Sequence, residues 1–249
     1  ANYAVGYNNI DVNEAKNRGI IVTNTPGVSA LAVAEHTVAL TLALTTRLAE
    51  GDEFMRTGKY RGWEPMLLIG SDLSGRMMGL IGVGAIGSEV ARIMKSGFNA
   101  DIVYYDVNPN PGVEQKYGAR RMATVDEVLR AADIVSLHVP LLESTHHLID
   151  AKRLAMMKPT AFLINTSRGP VVDENALVAA LKTKQIAGAG LDVYEFEPKL
   201  NKGLTKLPNV VLTPHIASSR ESVRNAMAVL AAQNIIDFFE TGAPKNKVS

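Results

Sequence analysis

The 249-residue chain contains no cysteine, which excludes disulfides, thiolate metal centres and cysteine nucleophiles together. Aromatic residues are also scarce, at 6% with a single tryptophan. No charge of one sign dominates: 26 Lys and Arg stand against 25 Asp and Glu, for a net charge of +1. The basic residues are scattered and form no aromatic-basic platform, so no nucleic-acid partner is expected. The longest apolar stretch, Ala30 to Leu44, is interrupted by Glu35, His36 and several threonines. It reads as a buried or interface helix rather than a membrane span, and no membrane partner is expected. No charged segment followed by an apolar one opens the chain. These features fit a cytoplasmic enzyme that uses no metal. The sequence starts at Ala1 and enters at once into the turn Gly6-Tyr-Asn-Asn-Ile-Asp11, so an N-terminal portion is expected to be missing.

What is present begins with 47% apolar residues, ample for a buried core in one large or two modest domains. The loop Gly82-Val83-Gly84-Ala85-Ile86-Gly87 follows the apolar run Gly79-Leu80-Ile81 and opens a helix-like stretch from Ser88 to Met94. That is the setting of a dinucleotide-binding turn. Gly82 allows the tight turn, Gly84 lets a pyrophosphate approach the backbone, and Gly87 lets helix and strand pack closely. The pyrophosphate then meets the free N–H groups at the helix N-terminus. Asp106 closes the next apolar run, 19 residues after Gly87, placing a carboxylate where it reaches the ribose hydroxyls of NAD. A 2′-phosphate would meet a like charge there, and Val107 and Asn108 supply no arginine, so NAD(H) is expected over NADP. Arg120 and Arg121 are read as solvating a strand edge.

Strand-like runs alternate with helical stretches along the rest of the chain. The runs are Leu80 to Val83, Ile102 to Tyr105, Ile134 to Val139, Ala161 to Ile164, Ala187 to Leu191 and Val210 to Leu212. Helical spacing and capping residues mark Thr124 to Ala131, Ala151 to Met157 and Asp173 to Lys182. Uninterrupted apolar strands between helices predict an α/β fold with a doubly wound parallel sheet covered on both faces. A long helical stretch from Ala30 to Thr57 precedes the sheet, and a last one spans Glu221 to Phe239. Ligands bind at the carboxyl ends of such strands, where Gly84, Asp106, Val139, Asn165, Asp192 and Thr213 to His215 all fall.

Three further residues carry a proton-transfer chemistry only in combination. Arg168, in Ile164-Asn-Thr-Ser-Arg-Gly169, follows a strand end and suits a carboxylate or carbonyl oxygen. His215 follows Thr213-Pro214, and Glu197 lies in Tyr194-Glu-Phe-Glu-Pro198 with Glu195 as its rival. Taken singly, each reads as a surface or backbone-satisfying residue. Together, a carboxylate-paired histidine, a cationic anchor and a hydride-carrying cofactor are what reduction of a 2-keto acid requires.

With these segments in this order, the chain resembles the D-isomer-specific 2-hydroxyacid dehydrogenase family from Gly6-Tyr-Asn-Asn-Ile-Asp11 to Pro214-His-Ile-Ala-Ser218 and beyond. The resemblance implies that Arg168 binds substrate, that Glu197 rather than Glu195 pairs with the histidine, and that His215 is the acid/base. It implies that Asp192 meets the nicotinamide carboxamide and that Val139, Pro140, Thr145, Thr166 and Ser167 line the cofactor. Backbone N–H groups around Val5 and Gly6 would hold the substrate carboxylate. Residues 1–23 would be a remnant of the substrate domain. Residues 24–218 would form the dinucleotide-binding domain, with a dimerisation helix and loop at about 30–70, and residues 219–249 a helix returning to the substrate domain. The segment Arg61-Gly-Trp63-Glu-Pro65, with Ile69-Gly70 and Leu73, is similar to the glyoxylate and hydroxypyruvate reductase branch. There Trp63 would approach the substrate pocket of a partner subunit in a homodimer, or would simply pack within its loop. Ala217 departs from the glycine that many relatives carry. Without the N-terminal half of the family's substrate domain, the chain is expected to bind NAD and turn over poorly. A rival implied by the same family is a cofactor-sensing interaction protein resembling the C-terminal-binding corepressors. The formate dehydrogenase branch is disfavoured, because it has an amide where Glu197 is a carboxylate.

Overall fold

The computed structural model describes residues 1–248. Its strands are β1 (Met77–Ile81), β2 (Asp101–Tyr105), β3 (Arg120–Arg121), β4 (Ile134–Leu137), β5 (Phe162–Asn165), β6 (Gly188–Leu191) and β7 (Val210–Leu212). They form one seven-stranded sheet in the order β3-β2-β1-β4-β5-β6-β7, every pair parallel. The strand order reverses between β1 and β4, and a crevice for ligands opens beyond the carboxyl ends at such a switch point.

The helices are α1 (Val12–Asn17), α2 (Ala30–Thr45), α3 (Leu48–Arg56), α4 (Ala85–Phe98), α5 (Pro111–Tyr117), α6 (Val125–Ala131), α7 (Ala151–Leu154), α8 (Glu174–Lys182) and α9 (Glu221–Thr241). The strands send alternate side chains to opposite layers, as period-two geometry requires. Ile81, Val103, Val135, Leu137 and Leu163 join one buried cluster with Val128, Leu129, Leu154 and Leu177. Met78, Leu80, Ile102, Tyr104, Ile134 and Ile164 join the other with Leu40, Leu44, Val90 and Met94. Burial on both faces is why the strands read as unbroken apolar runs.

The predicted α/β doubly wound sheet is therefore present, with differences in detail. The helical stretch from Ala30 to Thr57 is two helices, parted at Arg47, whose backbone is left-handed at φ 55°. Arg120 and Arg121 are themselves the edge strand, paired with Val103 and Tyr104. Helices α1 and α5 have no counterpart in the sequence reading. The second is capped by the Asn110 side chain, which accepts from the Gly112 and Val113 amides ahead of a proline in the first turn.

Packing divides the chain into two units, one formed by Ala1–Val33 with the chain from Ser218 onward, the other by Ala34–Ala217. In the first, the buried Asn234 of α9 donates to the Asn24 carbonyl at 3.0 Å and accepts from Asn246 Nδ2 at 2.9 Å. Thr23 bridges Lys247 in antiparallel fashion. The second unit holds the sheet.

Candidate active site

Six loops at the carboxyl edge of the sheet, after β1, β2, β4, β5, β6 and β7, carry most of the residues singled out from sequence. The glycine loop leaves β1 with Gly82 at φ 93°, a conformation that L side chains rarely adopt. A Cβ on Gly87 would strike the Gly82 carbonyl, so the turn and the start of α4 are pressed together. Gly84, in contrast, is exposed, and a Cβ there would meet no atom within 4 Å. It caps α4 without a side-chain acceptor, which leaves the first amides of a 14-residue helix to an anion. Asp106 follows β2, and its Oδ2 accepts from the Val83 amide at 2.8 Å, which ties the acid directly to the glycine loop. Its Oδ1 accepts from Asn108 N at 3.2 Å. Each oxygen keeps a second lone pair for a sugar hydroxyl. An open approach, a helix N-terminus and an acid beside it fit a dinucleotide, although Arg121 also lies close, donating to the Asp106 and Val107 carbonyls at 3.0 and 3.2 Å.

After β4, Thr145 closes the loop that starts at Val139 and Pro140: its Oγ1 donates to the Pro140 carbonyl at 2.6 Å and accepts from Leu142 N at 2.8 Å. After β5, the Asn165 side chain organises the arginine loop. Its Oδ1 accepts from Ser167 N and Ser167 Oγ, and its Nδ2 donates to the Arg168 carbonyl at 2.9 Å. Arg168 Nη1 donates to the Ser167 carbonyl at 2.6 Å. Burial draws the guanidinium below its ordinary value, and the Glu197 carboxylate opposes that shift. Gly169 admits no side chain, because a Cβ would overlap the Tyr194 carbonyl. The arginine loop and the glutamate loop after β6 are thus packed backbone against backbone.

Glu195 and Glu197 diverge within that second loop. Glu195 turns to His147, whose Nε2 lies 2.7 Å from its Oε1. It also exchanges bonds with Glu174: Glu174 N donates to Glu195 Oε2 at 3.1 Å, and Glu195 N donates to Glu174 Oε1 at 2.6 Å. Burial pushes the Glu174 carboxyl above its usual range, with the Glu195 and Glu197 charges adding to the rise and the Glu195 amide opposing it. Glu197 accepts from Tyr194 N at 2.9 Å through Oε1 and lies 3.0 Å from His215 Nδ1 through Oε2. Of the two acids, Glu197 lies against His215 and Glu195 against His147.

His215 sits after β7 in the left-handed region, at φ 54°, which is uncommon for a residue other than glycine. Asp192 is what holds it there. This fully buried carboxylate accepts from Thr213 Oγ1 at 2.6 Å and from the Ile216 and Ala217 amides at 2.8 Å each. Burial alone would raise its carboxyl, but the hydrogen bonds from His36, Thr213, Ile216 and Ala217 outweigh that and hold it below the ordinary value.

Sequence reasoning missed a second tier. His36 Nε2 lies 2.9 Å from Thr213 Oγ1 and 3.5 Å from Asp192 Oδ1, and the adjacent Thr37 Oγ1 lies 2.9 Å from Thr166 Oγ1. Two consecutive residues of α2 thus grip the loops that follow β7 and β5. Tyr194 Oη donates to the Thr213 carbonyl at 2.8 Å. The available signal was two neighbouring polar residues within an apolar helix, which were read only as an interruption. Val5 and Gly6 belong to the other unit, where their carbonyls accept from Asn24 Nδ2 at 2.7 Å and Asn2 Nδ2 at 2.8 Å.

Residues 38–217 match the family model described as the D-isomer specific 2-hydroxyacid dehydrogenase, NAD binding domain. The chain is 48% identical over 253 residues to a glyoxylate reductase of Thermococcus litoralis, covering all of this chain and 76% of that protein. It is 45% identical over 251 residues to the peroxisomal glycerate dehydrogenase of Arabidopsis thaliana, covering 95% of this chain and 65% of that one. Among solved structures, an NADPH-dependent glyoxylate/hydroxypyruvate reductase from Sinorhizobium meliloti, in complex with NADP and malonate, superposes with a TM-score of 0.92 at 38% identity. That match covers 100% of this chain and 76% of the other.

Proposed function

Because the chain belongs to the D-isomer-specific 2-hydroxyacid dehydrogenase family, we propose that it reduces glyoxylate or hydroxypyruvate to the D-2-hydroxy acid, with NADH and with His215 as proton donor. The observation that carries this reading is the His215–Glu197 pair at 3.0 Å, on the same sheet edge as the glycine loop and Arg168. When bound, the dinucleotide supplies the hydride. Glu197 engages Nδ1 and orients the ring, so Nε2 is the nitrogen that exchanges a proton with the substrate oxygen. In reduction, His215 protonates the oxygen of the former keto carbon; in oxidation, the neutral ring takes that proton back. Arg168 polarises the keto oxygen and orients the substrate carboxylate.

The same reading assigns the pyrophosphate to the amides from Gly84 to Gly87, the ribose to Asp106, and the nicotinamide half to the surroundings of Val139, Pro140, Thr145, Thr166, Ser167 and Asp192. NADH is proposed over NADPH because the Asp106 carboxylate opposes a 2′-phosphate. A homodimer through residues 30–70 is supported by a run of exposed apolar side chains, Leu48, Met55, Trp63, Met66 and Ile69. The cytoplasm is the compartment proposed, in keeping with the chain's lack of cysteine.

The test is NADH and NADPH oxidation with glyoxylate, hydroxypyruvate, pyruvate and 3-phosphohydroxypyruvate. Turnover with the first two is expected, and His215→Ala should lower kcat by about 10² to 10⁴ with little change in NADH affinity. Cofactor binding without turnover on any of the four would refute the reductase and favour the cofactor-sensing role.

A further inference from the structure

We propose that His146, His147 and Glu195 form a binding site for a divalent transition-metal ion of the zinc type, separate from the residues assigned to hydride and proton transfer. Each of the three offers one ligand atom, and these atoms lie within 4.8 Å of one another. Tetrahedral zinc, with bonds of about 2.0–2.2 Å, sets its ligand atoms roughly 3.3 Å apart. Reaching that spacing requires His147 Nε2 and Glu195 Oε1, now 2.7 Å apart, to part by about 0.6 Å, and His146, the exposed member, to close in.

Two of the ligands are already held in place. Glu195 Oε2 is fixed by the Glu174 amide at 3.1 Å, which turns Oε1 toward His147 Nε2 at 2.7 Å. A hydrogen bond on the oxygen that does not bind metal is the usual support of a ligating carboxylate. The His147 amide donates to the Pro170 carbonyl at 2.8 Å, and its backbone sits in the left-handed region at φ 48°. The imidazoles of His146 and His147 are stacked face to face, with centroids 4.1 Å apart and planes at 28°.

The local charge favours a cation. Glu195 exchanges amide-to-carboxylate hydrogen bonds with Glu174, a residue only 2% exposed whose Oε2 is buried with no hydrogen-bond partner. Glu197 adds a third carboxylate two residues along the loop. A bound metal ion would take His147 Nε2 and Glu195 Oε1 as ligands in place of the hydrogen bond they now share. Two imidazoles and one carboxylate select zinc, nickel or copper over magnesium or calcium, which take oxygen ligands.

Calorimetric titration of the full chain, first freed of metal by chelator and dialysis, with ZnCl2 tests the assignment. One site of micromolar affinity is expected, and His146→Ala, a change at an exposed side chain, should weaken it by at least about tenfold. Zinc should raise the thermal midpoint of the wild type but not of His146→Ala. The site should survive His215→Ala, which separates it from the His215–Glu197 pair. MgCl2 should give no such binding. Absence of saturable zinc binding below millimolar concentration, or binding that His146→Ala and Glu195→Gln both leave unchanged, would overturn the proposal. Because the titration needs no turnover, its outcome stands apart from that of the reductase assays.

Discussion

Replacing Asp192 by Asn discriminates between two roles for one buried carboxylate. The side chain is fully buried, with Oδ1 accepting from Thr213 Oγ1 and Ile216 N, and Oδ2 accepting from Ala217 N. An amide keeps one oxygen and gains a donor. Whichever way it is turned, its NH2 faces a backbone N–H, of Ala217 in one orientation and of Ile216 in the other. One buried amide hydrogen is then left unpaired, at about 1–3 kcal/mol, and the remaining bonds lose the strength that the charge gave them. The expected destabilisation is about 2–4 kcal/mol, which lowers the thermal midpoint by about 5–15 °C in a chain of this size. The pH dependence has a definite sign. Asp192 is held below its ordinary value in the fold, so its stabilisation is present above the unfolded carboxylate range and fades as pH falls through the folded value. The gap between wild type and Asp192→Asn should therefore be full at neutral pH and narrow in acid. Urea titration from pH 7 to pH 3, alongside NADH binding by fluorescence, reads both quantities. Unchanged stability with weakened NADH binding would refute the role in holding the His215 turn and leave contact with the nicotinamide as the main function of this residue.

Three other perturbations probe the neighbouring layers. Asp106→Ser removes the charge opposing a 2′-phosphate, so the ratio of kcat/KM with NADPH to that with NADH should rise at least about tenfold; a change within twofold would exclude Asp106 as the discriminator. His138, beneath the glycine loop with Nε2 2.9 Å from Ser136 Oγ, is pushed down to about 3 by burial. Its neutral ring stabilises the fold fully above about pH 6.5, and about 2 kcal/mol of that should be lost by pH 5. His138→Gln should flatten this part of the stability profile, and an unaltered slope between pH 7 and pH 5 would count against the assignment. His36→Ala should cost about 1–2 kcal/mol and depress kcat more than NADH affinity, since it loosens the Thr213 turn without touching the cofactor loop; equal effects on both would contradict a positioning role.

The sheet was legible because its strands are buried on both faces. Met77–Ile81 and Ile134–Leu137 are apolar at nearly every position, and a parallel arrangement demands that. The edge strand was not, because two arginines paired on one side only carry no apolar signal. The break between α2 and α3 falls at Arg47 without a glycine or proline to mark it. Helix α5 was overlooked despite a legible signature, with Asn110 as cap and Pro111 behind it. In the candidate site, the residue types were readable and their partners were not. Nothing local distinguishes Glu195 from Glu197; the packing of Gly169 against the Tyr194 carbonyl and the exchange with Glu174 decide which acid faces His215. Thr37 and Thr166 meet across 129 positions, a contact that only the closed sheet creates.

His36 and Thr37 are joined by one peptide bond, yet each holds a different loop, the first at Thr213 and the second at Thr166. A small drift of α2 along or across the sheet would carry the histidine loop and the arginine loop in the same direction by similar amounts. The separation between His215 and Arg168 is then insensitive to the error, as the difference between two readings is insensitive to a shared offset. What the drift does change is the distance of both from the glycine loop after β1. Substitutions along α2 other than at His36 and Thr37 should accordingly move both loops relative to the glycine loop more than they change the spacing between His215 and Arg168.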